Sequence, residues 1–177
     1  DPKGRKTVIS ILPEELKKFR LFPVGRLDYD TKGLLLLTND GDFMNAVVGP
    51  RSQTEKEYLV RVKGLVKKED IAKLAKGVNI GDYTTRPCFA YIKDVDRKNQ
   101  STLVGLVINE GKYHQVKRMI EAIGYTPVRL TRIRFGCIEL NKLAEGEVRE
   151  LTIHEVKTLL VQSKEEKEYT IKKARRV

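Results

Sequence analysis

A run of four leucines, Leu34 to Leu37, constrains this chain more than any other stretch. Such a run leaves no polar face, so Gly33 to Thr38 reads as a strand buried on both sides. It is closed by Asn39-Asp40-Gly41, which is turn chemistry. Asp40 stands where it caps a short helix running to Val47-Val48, and Gly49-Pro50 ends that helix. Directly ahead of the leucines lies Val24-Gly25-Arg26-Leu27-Asp28-Tyr29-Asp30-Thr31-Lys32-Gly33, with the carboxylate of Asp28 two residues after an arginine. The chain has 35 Lys plus Arg against 24 Asp plus Glu, a net charge of +11. A carboxylate at a strand entry in so cationic a chain has three readings: a turn or cap residue, a structural ion-pair partner, or a catalytic group.

The remaining pattern alternates irregularly between strands and helices, which predicts an α+β class. The apolar run Val8 to Leu12 leads into Pro13-Glu14-Glu15, a helix start. Glu57 to Val62 predicts a strand with Tyr58, Val60 and Val62 on one side. Glu69 to Lys76 predicts a helix stopped by Gly77. Arg86 to Asp94 and Thr102 to Asn109 predict strands joined by the polar loop Asp96 to Gln100. The clearest helix is Tyr113 to Ile123, with Val116, Met119, Ile120 and Ile123 on one stripe and Gly124 at its end. Val128 to Leu140 reads as one alternating strand, with Arg132 and Arg134 on one side and Ile133 and Phe135 on the other. Val148 to Leu151 is strand-like and His154 to Leu160 is a closing helix. Lys164 to Val177 reads as a charged, solvated tail.

With 40% apolar residues the chain supports a packed interior, and 177 residues suit one domain or two small lobes. The excess charge favours a polyanionic partner, since Lys and Arg release counterions from phosphates. No apolar run reaches the length of a membrane span, and no signal peptide is expected. Cys88 and Cys137 are far apart, only two histidines are present and no CxxC occurs, which argues against a zinc site. Both read as reduced structural thiols of a cytoplasmic protein. A P-loop and a dinucleotide fingerprint are absent from the sequence.

Gly-Arg-Leu-Asp-x-x-Thr-x-Gly-Leu-Leu-Leu-Leu-Thr-Asn-Asp-Gly, residues 25–41, resembles the signature of bacterial ribosomal RNA pseudouridine synthases of the RsuA/RluB type. Lys56-Glu57-Tyr58-Leu59-Val60 and Asn109-Glu110-Gly111-Lys112-Tyr113-His114-Gln115-Val116-Lys117-Arg118-Met119 agree in order. So do Arg129 to Gly136 and Glu145 to Leu151, and the likeness extends to about Leu160. The resemblance implies an α+β catalytic domain over residues 1–162, followed by the tail 163–177. Its two ferredoxin-like lobes share a mixed, mostly antiparallel sheet with a central RNA-binding cleft. Family members carry an S4-type RNA-binding domain at the N-terminus. Because the chain opens on Asp1-Pro2-Lys3-Gly4, that domain and a first strand are expected to be missing.

The implied reaction isomerises uridine to pseudouridine in RNA, breaking the N1–C1′ bond and joining C5 to C1′, with no metal and no organic cofactor. Large-subunit RNA is favoured over small-subunit RNA, as naked RNA or a pre-ribosomal particle, with the protein a monomer. The resemblance makes Asp28 the catalytic aspartate. It makes Tyr58 the tyrosine that stacks on the target uracil, and Lys117 the cation that pairs with Asp28. Arg26 becomes the arginine that fills the gap left by a flipped base. Lys112, Tyr113, His114 and Gln115 are implied RNA contacts at a helix start, with Arg118, Arg132 and Arg134 as further ones. A non-catalytic RNA-binding or ribosome-assembly module is the alternative.

Overall fold

The computed structural model describes residues 7–141 and 143–164. The opening at 1–6 and most of the charged tail, 165–177, lie outside the described residues. The chain forms two compact units, one of residues 28–34 and 55–140, the other of the remaining segments.

The larger strand-bearing unit is built from β2 (Lys32–Gly33), β4 (Lys56–Lys63), α3 (Lys68–Lys76), β5 (Phe89–Asp96), β6 (Ser101–Ile108), α4 (Gln115–Ala122), β7 (Thr126–Phe135) and β8 (Ile138–Glu139). From β4 to β7 the order is β-α-β-β-α-β, and the strands lie side by side as β7-β4-β6-β5. That is the ferredoxin-like arrangement. β2 joins β7 in parallel while the other ladders are antiparallel, so the sheet is mixed and mostly antiparallel, as expected.

One face of this sheet makes the core. Val60, Val62, Val104, Leu106, Ile108 and Leu130 are buried with Leu74 of α3 and Val116, Met119 and Ile120 of α4. The helices form where the periodicity places them. Gly77 leaves α3 at φ +110 and Gly124 follows α4 at φ +91, conformations that glycine adopts without a Cβ penalty.

The other unit holds a short 3₁₀ turn (Ile9–Ile11), α1 (Glu14–Lys17), the paired strands β1 (Phe22–Pro23) and β3 (Leu37–Thr38), α2 (Gly41–Val48) and α5 (Ile153–Gln162). Asp40 caps α2 as expected, its carboxylate accepting from the amides of Asp42 and Phe43. Thr152 and Glu155 form a capping box at α5.

Three expectations are corrected. The leucine run is not one strand: Lys32–Gly33 pairs with β7 and Leu37–Thr38 with β1, and Leu34 and Leu36, which lie between these strands in sequence, are buried. Val128 to Leu140 is also two strands, turning at Gly136 (φ +57). Within β7, Tyr58 pairs with Arg132 but Glu57 with Arg134, so Ile133 is an extra residue on that strand. This bulge sends Arg132 and Arg134 to opposite faces. Finally, Val148 to Leu151 makes no ladder among the described residues.

Candidate active site

Asp28 begins the short strip 28–34 that β2 fastens to β7. Gly33 makes the close approach possible, because a Cβ there would sit 2.1 Å from the carbonyl oxygen of Arg132. The next residue is clamped twice, the Leu34 amide donating to the Arg132 carbonyl and the Arg132 Nε donating to the Leu34 carbonyl, both at 2.9 Å. The loop carrying Asp28 is therefore fixed to the sheet at its C-terminal end.

Against this carboxylate stands the start of α4. Its apolar stripe, Val116, Met119 and Ile120, is buried, which sets the rotation of the helix and leaves Lys117 on the flank. Lys117 Nζ lies 3.8 Å from Asp28 Oδ2, and His114 Nε2 lies 3.6 Å from Asp28 Oδ1. Each carboxylate oxygen thus faces a nitrogen at ion-pair range, His114 adding charge only when protonated. Asp28 remains 29% exposed on its side chain, open enough for a substrate to reach it.

Lys117 was expected to belong to Asp28, yet its hydrogen bond goes to Asp30. Asp30 is held below the usual carboxylate range chiefly by that bond. The spacing Asp28-Tyr29-Asp30 contained the signal, since both acids flank one residue in the same loop. Lys117 is therefore shared between two carboxylates.

The helix start is itself braced. Glu110, only 6% exposed, accepts from the Tyr83 hydroxyl (2.5 Å), the Arg86 amide (2.8 Å) and the Gln115 side-chain amide (3.0 Å). These donors hold the Glu110 carboxyl low against the opposing effect of burial, which is the largest influence on it. Gln115 is buried and also accepts from the Lys112 amide at 3.0 Å, so it serves the turn. His114 takes a left-handed φ of 48° just before the helix, and its ring stacks on Tyr113 at 3.9 Å. Tyr113 is exposed, and Lys112 lies over the Tyr83 ring at 4.6 Å.

The other named positions divide by placement. Tyr58 packs on the core face beside Val60, directly across the ladder from Arg132, and is half-buried. Arg118 bonds Asp82 and the carbonyls of Tyr113 and Ile80, so it ties a neighbouring loop to the helix start. Arg132 is 2% exposed, and Arg134 is committed to Glu55 and Glu57 at 3.1 and 3.0 Å. Burial therefore turns the Arg132 guanidinium inward, and two carboxylates hold that of Arg134. Arg26 is exposed in the other unit.

Lys56 was missed. It lies two residues before Tyr58 on the same face, and its amine is pushed down to about 8, chiefly by burial and then by Arg132. The alternation that marked Tyr58 also reaches Lys56. Cys88 and Cys137 form no disulfide, and burial pushes the Cys88 thiol up to about 11. Among the described residues no group of three His, Cys, Asp or Glu side chains is arranged to hold a metal ion, and no helix is long and apolar enough to cross a membrane.

Comparison with known proteins sets this geometry in a family. A ribosomal large subunit pseudouridine synthase B of Bacillus subtilis (strain 168) is 43% identical over 159 residues, covering 90% of this chain and 64% of that protein. A ribosomal small subunit pseudouridine synthase A of Salmonella typhimurium is 41% identical over 160 residues, covering 88% and 66%. A crystal structure of a pseudouridylate synthase superposes with a TM-score of 0.76 at 37% identity, over 86% of this chain and 65% of that one. The chain spans just under two thirds of each of these relatives. The RNA pseudouridylate synthase family model matches residues 2–122, the stretch that holds Asp28, Tyr58 and α4, and the chain belongs to that family.

Proposed function

We propose that this chain isomerises uridine to pseudouridine in ribosomal RNA, with Asp28 as the catalytic carboxylate. The observation that carries the reading is the placement of Asp28 between His114 and Lys117 on a loop clamped to the sheet. A nucleophile or base working at a ribose must be charged, held in one orientation and reachable. Two nitrogens, one on each carboxylate oxygen, and 29% exposure meet those requirements. Tyr58 offers a ring for the uracil and a hydroxyl for proton transfer, and Arg26 a planar cation for the gap left by the flipped base. Lys112, Tyr113 and His114 are the RNA contacts at the entrance to α4. The chemistry needs no metal or organic cofactor. The net charge of +11 suits the polyanion.

Large-subunit RNA is the favoured substrate, because the relative at 43% identity is a large subunit synthase. The protein acts as a cytoplasmic monomer on that RNA or on a pre-ribosomal particle. The test is tritium release from 5-tritiated uridine in large- and small-subunit transcripts, with the parent and Asp28→Asn side by side. Release by the parent and none by the variant is expected, with the large-subunit transcript preferred. Equal release by both proteins removes Asp28 from the chemistry. RNA binding without release from transcripts or assembly intermediates leaves the non-catalytic module.

A further inference from the structure

The ferredoxin-like sheet uses one face for its core, and the opposite face carries a different set of residues. The ladders place Phe89, Val107 and Glu57 in one row, Tyr91, Gly105 and Leu59 in the next, and Asp94, Leu103, Arg61 and Arg129 in the third. No residue of the buried cluster that joins the sheet to α3 and α4 comes from these rows.

Phe89 is 64% exposed and its ring centroid is 5.4 Å from that of Tyr91, tilted by 32°. Tyr91 is held in place. Gly105 lets its ring lie against the backbone, where a Cβ would come within 2.0 Å of Cζ. Its hydroxyl donates to Glu57, which is anchored in turn by Arg134. The result is a rigid aromatic step with an open ring above it.

Beyond that step, Arg61 and Arg129 are direct partners across the β4–β7 ladder. Like charges facing each other in a ladder repel. Among the described residues neither forms an ion pair; Arg61 donates to the Ser101 hydroxyl at 3.3 Å and acts at longer range on Asp96, and Asp94 shares the row. Lys93, at the bulge on β5, is exposed on the same edge. An aromatic step beside a facing pair of arginines outside any ion pair fits unpaired nucleic acid, whose bases stack on rings while its phosphates take up positive charge.

We propose that this face is a second RNA-binding surface, on which an unpaired segment stacks a base on Phe89 and directs phosphates to Arg61 and Arg129. It rests on the reading of the protein as an RNA-directed enzyme and adds a binding site apart from Asp28.

The chain contains no tryptophan, so Phe89→Trp places a single fluorescent reporter on the surface. Single-stranded oligouridylate is the probe. Its addition is expected to quench the emission saturably, with binding weakened by salt. Phe89→Leu keeps the apolar bulk without a π-face and is expected to bind the oligonucleotide about tenfold more weakly, while Phe89→Tyr binds as the parent does. Unchanged emission overturns the proposal, as does equal affinity of the Leu variant, or emission that ignores RNA and responds to added ribosomal protein. Tritium release measured on the same proteins separates the two readings. Quenching without turnover removes the isomerase alone, and turnover without quenching removes the platform alone.

Discussion

Replacing Lys56 with methionine is expected to make the protein more stable at neutral pH. The amine titrates at about 8 in the folded chain against 10.5 for an ordinary lysine, first because of burial and then because Arg132 is near. Below about pH 8 both folded and unfolded chains carry the proton, so the folded state bears the whole cost of a buried charge. The gap between 10.5 and about 8 corresponds to about 3 kcal/mol at 1.36 kcal/mol per pH unit. Methionine has a similar length and no charge. It forfeits the donor to the Glu110 carbonyl, a 3.4 Å contact worth about 0.5–1 kcal/mol. The net expectation is a gain of about 2 kcal/mol at pH 7, or a urea midpoint raised by about 1 M. Between about pH 8 and 10.5 the folded parent sheds its proton while the unfolded chain keeps it. The parent's stability therefore rises with pH and the variant's advantage fades, vanishing above about 10.5. Urea unfolding followed by circular dichroism, with both proteins along that pH series, measures the difference. A Lys56→Met protein less stable than the parent at pH 7, or a gap that does not shrink with pH, refutes the reasoning.

Gly33→Ala is expected to break the β2–β7 pairing. The added Cβ meets backbone atoms of Arg132 at 2.1 and 2.7 Å, at a φ of +114 that disfavours any side chain. A cost of about 3 kcal/mol or more is expected, read as faster amide exchange at Leu34 together with lower tritium release. Unchanged exchange at Leu34 counts against the clamp. At α5, Glu155 is held down to about 2, first by the Arg149 guanidinium and then by the Thr152 amide. Its contribution is present above the unfolded value of 4.5 and is lost as pH falls toward 2. Amide chemical shifts of α5 followed from neutral to acid pH should show that midpoint, and Arg149→Ala should raise it. A midpoint left near 2 in the variant argues against the ion pair.

Short-range signals were readable in the chain to different depths. Asp40 capping α2, Gly77 and Gly124 ending their helices, and the stripe of Val116, Met119 and Ile120 are local: their causes lie within a few residues. The resemblance carried by residues 25–41 and 109–119 pointed to Asp28 and Lys117, which the fold brings within 3.8 Å. Arg132 and Arg134 went astray because a bulge is an event between two strands. Alternation within β7 gives no hint that Glu57 and Tyr58 will skip Ile133. The leucine run misled in a similar way, since periodicity reports burial and not which ladder accepts each hydrogen bond.

By itself the sequence determined the main helices and the α+β class, which follow from spacing and residue type along one stretch of chain, and several ordered motifs carried the resemblance to the family. Tertiary structure decided what the charges do. Lys117 divides itself between Asp28 and Asp30, Arg132 turns inward to clamp Leu34, and Glu110 braces the entrance of α4. Arg61 and Arg129 were left facing each other across the β4–β7 ladder. Partners of this kind are distant in sequence, and Coulomb and hydrogen-bond energies act only across the few ångströms that folding closes.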